Sequence, residues 1–401
     1  MEEWKTYTLK ELSKGKGEYG IGAPAIPFNK DKYTYLRITD INDDGTLNYS
    51  GLMSVDSEDA EKYLLEKNDI VFARTGNSTG RSYFYDGRDG VLVYAGFLIR
   101  FRLDDQKVNP RILKYYTHSQ PYYNWVKSFD TGGTRGNINA KTYGDMPLCL
   151  PPRPIQNRIV EILDALDDKI ENNRRINDNL EQQAQALYKE WFVNKRQKEW
   201  NMGVVSDYYD ITIGKTPPRK EKQWFSFNEK DRVWVSISDM GTCGIFINNS
   251  SEYLTSEAIS KFNIKIVPNN TVLLSFKLTV GRVAISDGIM TTNEAIAHFN
   301  TDREYLLEYT YLALKAYEFS NLGSTSSIAT AVNSKIIKTM SWMMPDDATL
   351  YKFHDLTSPI FIKIKNNIRE NQKLITLRDT LLPKLMSGEL SVDDVSTDLV
   401  C

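Results

Sequence analysis

The stretch LPPRPIQNRIVEILDALDDKIENNRRINDNLEQQAQALYKEWF, residues 150–192, decides the fold of this chain. After its opening prolines, apolar side chains recur at alternating steps of four and three residues, as at Ile159, Leu163, Leu166 and Ile170. This spacing is typical of a heptad seam, along which one helix packs against another. A helix of about 40 residues is roughly 60 Å long, longer than a globular core needs. The stretch therefore predicts a helical spacer.

The same pattern returns near the end of the chain. Residues 345–386 align without a gap to residues 151–192. Asparagines occupy two positions of each seam, and buried asparagines fix the register of paired helices at some cost in stability. Because helices from repeats related by a pseudo-twofold axis pair antiparallel, we expect this arrangement, with a helix packed on its own domain as the alternative. The predicted pairing residues are Leu163, Leu166, Ile170, Asn173, Asn177, Leu180, Leu187, Ile360, Ile364, Asn367, Asn371, Leu374 and Leu381.

Interior prolines distinguish the second helical segment from the first. Pro359 and Pro383 each lack a backbone donor, and interior proline kinks or breaks a helix. We therefore expect the first turns of the second helix to break off near Ser358.

The regions before the two helices also repeat each other. YLRITDI at residues 35–41 matches WVSISDM at residues 234–240. NDIVFA at residues 68–73 and NTVLLS at residues 270–275 both predict a buried strand after an asparagine turn. Duplication of this kind indicates repeated structural units.

Together these patterns predict an α+β fold with two pseudo-repeated mixed α/β domains and two long helices that pair as an antiparallel coiled coil. The predicted division is a first globular domain at 1–150, a spacer helix at 151–196, a second globular domain at 197–344, a second spacer helix at 345–390 and a C-terminal tail at 391–401.

Composition limits the functional classes. The 401 residues include 50 Lys plus Arg against 52 Asp plus Glu, so the net charge of -2 gives no overall attraction for nucleic acid. Any nucleic-acid binding must come from local patches. Cys149, Cys243 and Cys401 are too far apart in sequence for a disulfide framework or a CxxC metal site. The start lacks an export signal and no apolar run approaches 18 residues, so we expect a soluble, cytoplasmic protein.

Motifs for catalysis are weak or missing. GKGEYG at residues 15–20 satisfies GxGxxG but follows a polar stretch, and GKT at residues 214–216 lacks the first glycine of a phosphate loop. DDK at residues 167–169 has the spacing of a nuclease metal site but lies on the spacer helix, where solvated helix charge is the better interpretation. Three histidines are isolated from one another, His118, His298 and His354. We expect no catalytic residue, no metal and no cofactor in this chain.

Polar, locally basic loops at matching places in the two copies are the candidate binding sites. Arg can contact guanine and Asn adenine, while Lys, Ser and Thr hold phosphates. Such loops also serve as mere connections, and this alternative stays open. The candidate DNA-binding residues are Arg74, Asn77, Ser78, Thr79, Arg81, Thr134, Arg135, Asn137, Asn139 and Lys141 in the first copy, and Lys215, Arg219, Lys220, Lys277, Thr279, Arg282, Ser324, Thr325, Ser326, Ser327 and Lys335 in the second.

The layout resembles the specificity subunit of type I restriction-modification systems. The likeness spans almost the whole chain, and residues 150–192 together with the GGTRGNI loop at residues 132–138 carry it. This chain has Ile155-Gln156 where the family commonly has Glu before the Gln. A second departure is MMPDDATLYKF at residues 343–353, which lacks both the double proline and the Gln.

The resemblance implies two target-recognition domains, each recognising one half of a split, asymmetric site in double-stranded DNA, with the helices setting the gap. It also implies that two methyltransferase subunits bind the helices and supply S-adenosylmethionine and the catalytic residues, and that restriction and translocase subunits join them. The chain itself is then non-catalytic, without a cofactor and without a membrane partner. The rival hypothesis is a protein-assembly scaffold whose two globular units bind polypeptides.

Overall fold

The computed structural model describes most of the chain, namely residues 4–129, 136–319, 322 and 333–395. The chain divides into two compact units. Unit 1 contains Met1–Lys169 and Leu374–Cys401, and unit 2 contains Ile170–Lys373. Both long helices are therefore shared between the units, and the five-part division given above stays a prediction.

Unit 1 is built from short strands and short helices around two four-stranded sheets. Its strands are β1 (Lys5–Thr8), β2 (Glu18–Tyr19), β3 (Ala25–Pro27), β4 (Tyr33–Leu36), β5 (Met53–Val55), β6 (Asp69–Ala73), β7 (Ser82–Tyr85), β8 (Leu92–Tyr94), β9 (Leu98–Arg102) and β10 (Pro147–Leu150). Its helices are α1 (Pro110–Tyr116), α2 (Gln120–Lys127), α3 (Ala140–Gly144) and the start of α4 (Arg153–Tyr188). One sheet has the order β2-β9-β6-β7, the other has the order β3-β5-β4-β8, and β1 pairs with β10.

Unit 2 has the same kinds of element. Its strands are β11 (Asn201–Val204), β12 (Asp210–Ile213), β13 (Phe225–Ser226), β14 (Arg232–Val235), β15 (Phe246–Ile247), β16 (Tyr253–Leu254), β17 (Val272–Ser275), β18 (Val283–Ser286), β19 (Thr291–Thr292), β20 (Ile296–Asn300) and β21 (Ser341–Met344). Its helices are α5 (Ile237–Thr242), α6 (Ser256–Lys261), α7 (Leu307–Lys315), α8 (Ser334–Lys338) and most of α9 (Asp347–Ser387). The sheets have the orders β12-β20-β17-β18-β15 and β13-β16-β14-β19, and β11 pairs with β21.

The sheets of the two units share one topology. The order β2-β9-β6-β7 in unit 1 corresponds to β12-β20-β17-β18 in unit 2, which carries β15 in addition. In the other sheet each unit has one parallel pair at the same place, β4 with β8 and β14 with β19. The predicted duplication of a mixed α/β domain is therefore confirmed.

Turn chemistry explains why equivalent strands begin at equivalent residues. Asn68 and Asn270 precede β6 and β17 with φ values of 75° and 60°, a left-handed conformation that asparagine tolerates better than most residues. Gly80 and Gly281 end the following loops with φ values of 88° and 93°, where a side chain would be strained. Both predicted asparagine turns are present.

The helix α9 runs without a break from Asp347 to Ser387, through Pro359. The expectation that its first turns separate near Ser358 was wrong. Proline removes one backbone donor, but Phe353 and Phe361 on either side of Pro359 are buried in the core of unit 2 and hold both flanking turns in place. Among the helices of the described residues, none has both the length and the apolar composition of a membrane span.

Segments of both long helices belong to the globular cores. The core of unit 1 includes Leu163 and Leu166 of α4 and Leu381 of α9. The core of unit 2 includes Tyr188 of α4 and Phe361 of α9. The start of α4 therefore packs on the domain that precedes it in unit 1, as the alternative to a free spacer helix expects.

Candidate nucleic-acid interface

The two predicted loops of unit 1 lie side by side. Thr75 forms a β-bridge with Asn137. The Thr79 hydroxyl donates a hydrogen bond to the Gly136 carbonyl oxygen at 2.9 Å. We call these two segments the unit-1 loop surface, residues 74–81 and 136–141.

Only some predicted residues on the unit-1 loop surface face solvent. The exposed ones are Asn77, Asn137, Asn139 and Lys141. The Asn139 side chain also caps α3, because its oxygen accepts a hydrogen bond from the Thr142 amide at 2.9 Å. Thr79 is half-buried and Ser78 is buried, so both are less accessible to a ligand.

Arg74 on this surface lies against two aromatic rings. Its guanidinium carbon is 5.1 Å from the ring centre of Tyr19 and 5.9 Å from that of Phe97, within the range of cation–π attraction. Both rings are themselves exposed, at 42% for Tyr19 and 56% for Phe97. Neither ring is recognisable as part of the site in the sequence, where each is an aromatic residue next to a glycine.

Arg81 and Arg282 follow equivalent glycines in the two units, and each donates to a backbone oxygen in the segment after β4 or β14. Arg81 Nη1 lies 3.0 Å from the Ile41 oxygen, and its Nε lies 2.7 Å from Asp43 Oδ1. Arg282 Nη1 lies 2.6 Å from the Ile237 oxygen. Both guanidinium groups therefore already have acceptors inside their own unit.

The positive charge of the segment that contains Arg219 and Lys220 in unit 2 is also partly neutralised. Arg219 Nη1 lies 2.8 Å from both carboxylate oxygens of Glu252. Its guanidinium carbon lies 4.5 Å from the ring centres of Phe225 and Trp234. The neighbouring Lys220 is exposed.

The loop after β17 differs in character from its counterpart in unit 1. Lys277 and Thr279 are exposed, and Leu278 between them is 99% exposed with a φ of 61°. Phe276 takes the place in unit 2 that Arg74 takes in unit 1. The Arg74 amide donates to the residue before β9, and the Phe276 amide donates to the residue before β20. Because Phe276 is buried, the two loop surfaces offer unlike chemistry to a ligand.

The remaining predicted binding residues fall into two groups. Lys215 donates from Nζ to the Phe262 oxygen at 2.7 Å, and Lys335 is exposed on α8. The others lie outside the described residues, namely Thr134, Arg135, Ser324, Thr325, Ser326 and Ser327.

The glycines that end GKGEYG and begin GKT, Gly20 and Gly214, lie at equivalent places in the two units. The Gly20 amide donates to the Leu98 oxygen, and the Gly214 amide donates to the Ile296 oxygen, both at 3.2 Å. A side chain on either glycine would overlap the backbone of the strand beside it. These glycines therefore allow close approach of β-structure, a use of glycine that needs no bound phosphate.

Asparagines of the two long helices contact each other within unit 2. Asn173 Nδ2 donates to Asn371 Oδ1 at 2.9 Å, and Asn367 Nδ2 donates to Asn177 Oδ1 at 2.8 Å. Asn371 Nδ2 also donates to the Ile170 oxygen at 3.1 Å. Residue numbers fall along α9 as they rise along α4, so these two segments run antiparallel. The apolar residues predicted to pair are buried or half-buried: Leu163, Leu166, Ile170, Leu180, Leu187, Ile360, Ile364, Leu374 and Leu381.

The DDK segment of α4 has a structural role in unit 1. Asp167 forms ion pairs with Lys114 and, at 3.0 Å, with Arg378 of α9. Burial alone would raise the pKa of Asp167, but the two cations outweigh it and hold the pKa below its usual range. Its charge is thus paired, which differs from the solvated charge expected.

The histidines lie apart, as their spacing suggests. His298 is buried between the hydroxyls of Thr212 and Thr292, at 2.9 Å and 2.7 Å. Burial lowers the pKa of His298 to about 4, so its ring is neutral at physiological pH. In the part of the chain that the structure describes, no group of three or more His, Cys, Asp or Glu side chains could hold a metal ion.

The fold and its loops define a class of protein with a duplicated mixed α/β domain and two long helices. A family model described as "Type I restriction modification DNA specificity domain" matches residues 1–182 and 197–349. The chain belongs to this family, and the resemblance to type I specificity subunits is confirmed.

Individual relatives agree with the family. The type I restriction enzyme HindI specificity subunit of Haemophilus influenzae is 24% identical, covering 97% of this chain and 100% of its own. The MjaIX specificity subunit of Methanocaldococcus jannaschii is also 24% identical, covering 71% of this chain and 69% of its own. Among solved structures, the S subunit of a type I restriction-modification system from M. genitalium is 16% identical over 96% of both chains, with a TM-score of 0.53. This last likeness supports the fold alone.

Proposed function

We propose that this chain recognises a bipartite, asymmetric DNA site, one half with each unit, as the specificity subunit of a type I restriction-modification complex. The observation that carries the proposal is that one sheet topology occurs twice, with unlike loops at equivalent places. Two unlike recognition domains related by a pseudo-dyad match a site with two unlike halves.

The long helices have two roles in this proposal. They set the unspecified gap between the half-sites, because half-site separation follows from the geometry of the connection between recognition domains. They also dock two methyltransferase subunits, one for each copy of the helix, and those subunits supply S-adenosylmethionine and the catalytic groups. Restriction and translocase subunits complete the assembly, which acts on double-stranded DNA in the cytoplasm.

The charge distribution of the chain favours DNA binding by the assembled complex over DNA binding by the chain alone. The net charge of -2 gives no long-range attraction, and Arg81, Arg219 and Arg282 already have acceptors in their own units. The exposed lysines supply the local positive charge of the loop surfaces. We expect the affinity of the assembled complex to fall by orders of magnitude between about 50 and 200 mM salt if six to ten phosphates are engaged.

Co-expression with the methyltransferase subunit tests the proposal. Modified adenines are mapped across the host genome with the wild-type chain, and again with the methyltransferase subunit alone. We expect a single split motif with a fixed gap, which depends on this chain. A contiguous motif, or methylation that persists without the chain, would contradict the proposal. The protein-assembly scaffold would then be the better hypothesis.

A further inference from the structure

We propose that Arg74 is the guanine-recognising residue of unit 1, presented to DNA by a clamp of two aromatic rings. The inference rests on the proposed function, since it assigns one base contact within one of the two half-sites.

The hydrogen-bonding state of Arg74 is the first observation. Its Nε is buried and has no acceptor, and none of its side-chain nitrogens donates a hydrogen bond within the described part of the chain. An Arg held without acceptors is unusual, because buried donors are nearly always paired. Because Nε is buried, a ligand with two acceptor atoms on one edge would pair with the terminal nitrogens Nη1 and Nη2, which have no acceptor among the described residues.

The second observation is that Arg74 is pre-positioned. Its backbone amide donates to the Phe97 oxygen at 3.1 Å, and its carbonyl accepts from the Ile138 amide at 2.9 Å. The hydroxyl of Tyr19, the other ring of the clamp, accepts from the Ala140 amide at 3.2 Å. These hydrogen bonds fix the Arg74 backbone and one of the two rings that its guanidinium lies against, which lowers the entropy lost on binding.

Among the predicted arginines that the structure describes, Arg74 differs from the other three. Arg81, Arg219 and Arg282 each have a carboxylate or carbonyl acceptor within 3.0 Å, and a contact with DNA would have to compete with it. Arg74 has no such competitor among the described residues.

The chemistry of the clamp favours a base over a phosphate. A planar guanidinium that lies against two rings can present two donors side by side, which matches the N7 and O6 acceptors of guanine in the major groove. Lys141, which is exposed on the same surface and has a flexible stem, suits a phosphate better. Since Phe276 takes the equivalent place in unit 2, this contact belongs to one half-site only.

The test uses the assembled methyltransferase complex and duplexes that carry 7-deazaguanine, which lacks the N7 acceptor, at each guanine of the unit-1 half-site in turn. With the wild-type chain we expect one guanine whose replacement slows methylation by at least about 5-fold, the lower end of the range for a bidentate contact, because O6 still accepts one hydrogen bond. With Arg74→Ala that dependence disappears, and genomic methylation relaxes at the same base. Lys141→Ala serves as the matched control and weakens methylation uniformly across sequences.

The outcomes separate this inference from the proposed function. If the wild-type complex modifies no split motif, the proposed function fails. If a split motif exists but no guanine in the unit-1 half-site is sensitive to loss of N7, only the assignment of Arg74 fails. This measurement uses the wild-type chain and needs no variant. A uniform loss with both Arg74→Ala and Arg74→Lys, measured at unchanged thermal stability, would likewise overturn the assignment.

Discussion

At the scale of single residues, Arg282 joins two segments of unit 2. Its Nη1 donates to the Ile237 oxygen, and its guanidinium lies against Gly241, where a side chain would collide with it. We expect Arg282→Ala to lower the stability of unit 2 by about 1–3 kcal/mol, because the Ile237 carbonyl loses a charged donor. Thermal unfolding of the purified chain measures this. Lys277→Ala, in the exposed loop nearby, should leave the melting temperature unchanged, and equal melting temperatures for the two variants would contradict the assignment.

The buried histidine His298 supports a second prediction at the scale of single residues. Its pKa of about 4 in the folded chain is below the value of about 6.5 for an unfolded histidine. The unfolded state therefore binds the proton more readily, and the contribution of His298 to stability is lost as the pH falls from about 6.5 to 4. NMR titration of the histidine ring protons, with His298→Asn to assign the signal, should give a midpoint well below 6. A midpoint near 6.5 would mean that the ring is solvated.

At the scale of elements, the asparagines between α4 and α9 are coupled in pairs. Replacing Asn177 with Leu leaves the buried Asn367 amide without its acceptor, so we expect a loss of about 1–3 kcal/mol. The double variant Asn177→Leu/Asn367→Leu should lose less than the sum of the two single variants, because it leaves no unpaired amide.

Denaturant unfolding of all four members of this double-mutant cycle measures the coupling. Asn172→Leu, at an exposed position of α4, is the matched control and should have little effect. Strictly additive losses would show that the two asparagines act independently of each other.

At the scale of the whole molecule, the helices can be lengthened together. The antiparallel register is defined by two asparagine pairs, Asn173 with Asn371 and Asn177 with Asn367. In this register Lys169 lies opposite Ile375. A seven-residue insertion after Lys169, matched by another before Ile375, preserves the heptad pattern and adds about 10 Å to each helix. If the helices set the gap, the two half-sites stay the same and the gap grows by about three base pairs, at 3.4 Å each.

Genome-wide mapping of modified adenines measures this outcome. The same insertion in α4 alone breaks the register and serves as the control, for which we expect loss of methylation. Altered half-site sequences with the paired insertion would contradict the division of labour between the recognition domains and the helices.

Much of this architecture was predictable because it depends on neighbouring residues. The duplication, the asparagine turns at Asn68 and Asn270 and the long helix that begins near Arg153 all follow from local periodicity and turn chemistry. The helix break near Ser358 was not borne out, because buried contacts on both sides of Pro359 outweigh the loss of one backbone hydrogen bond.

The sequence by itself determined that there are two copies of one domain and two long helices, since repeats and heptads are visible in the order of residues. Only the tertiary structure decided which of the candidate arginines in the described residues already have acceptors within their own unit. Arg81 finds its acceptor 40 residues away and Arg282 finds its own 45 residues away. Tyr19 and Phe97 meet Arg74 from distant parts of the chain, so no local pattern could indicate that clamp.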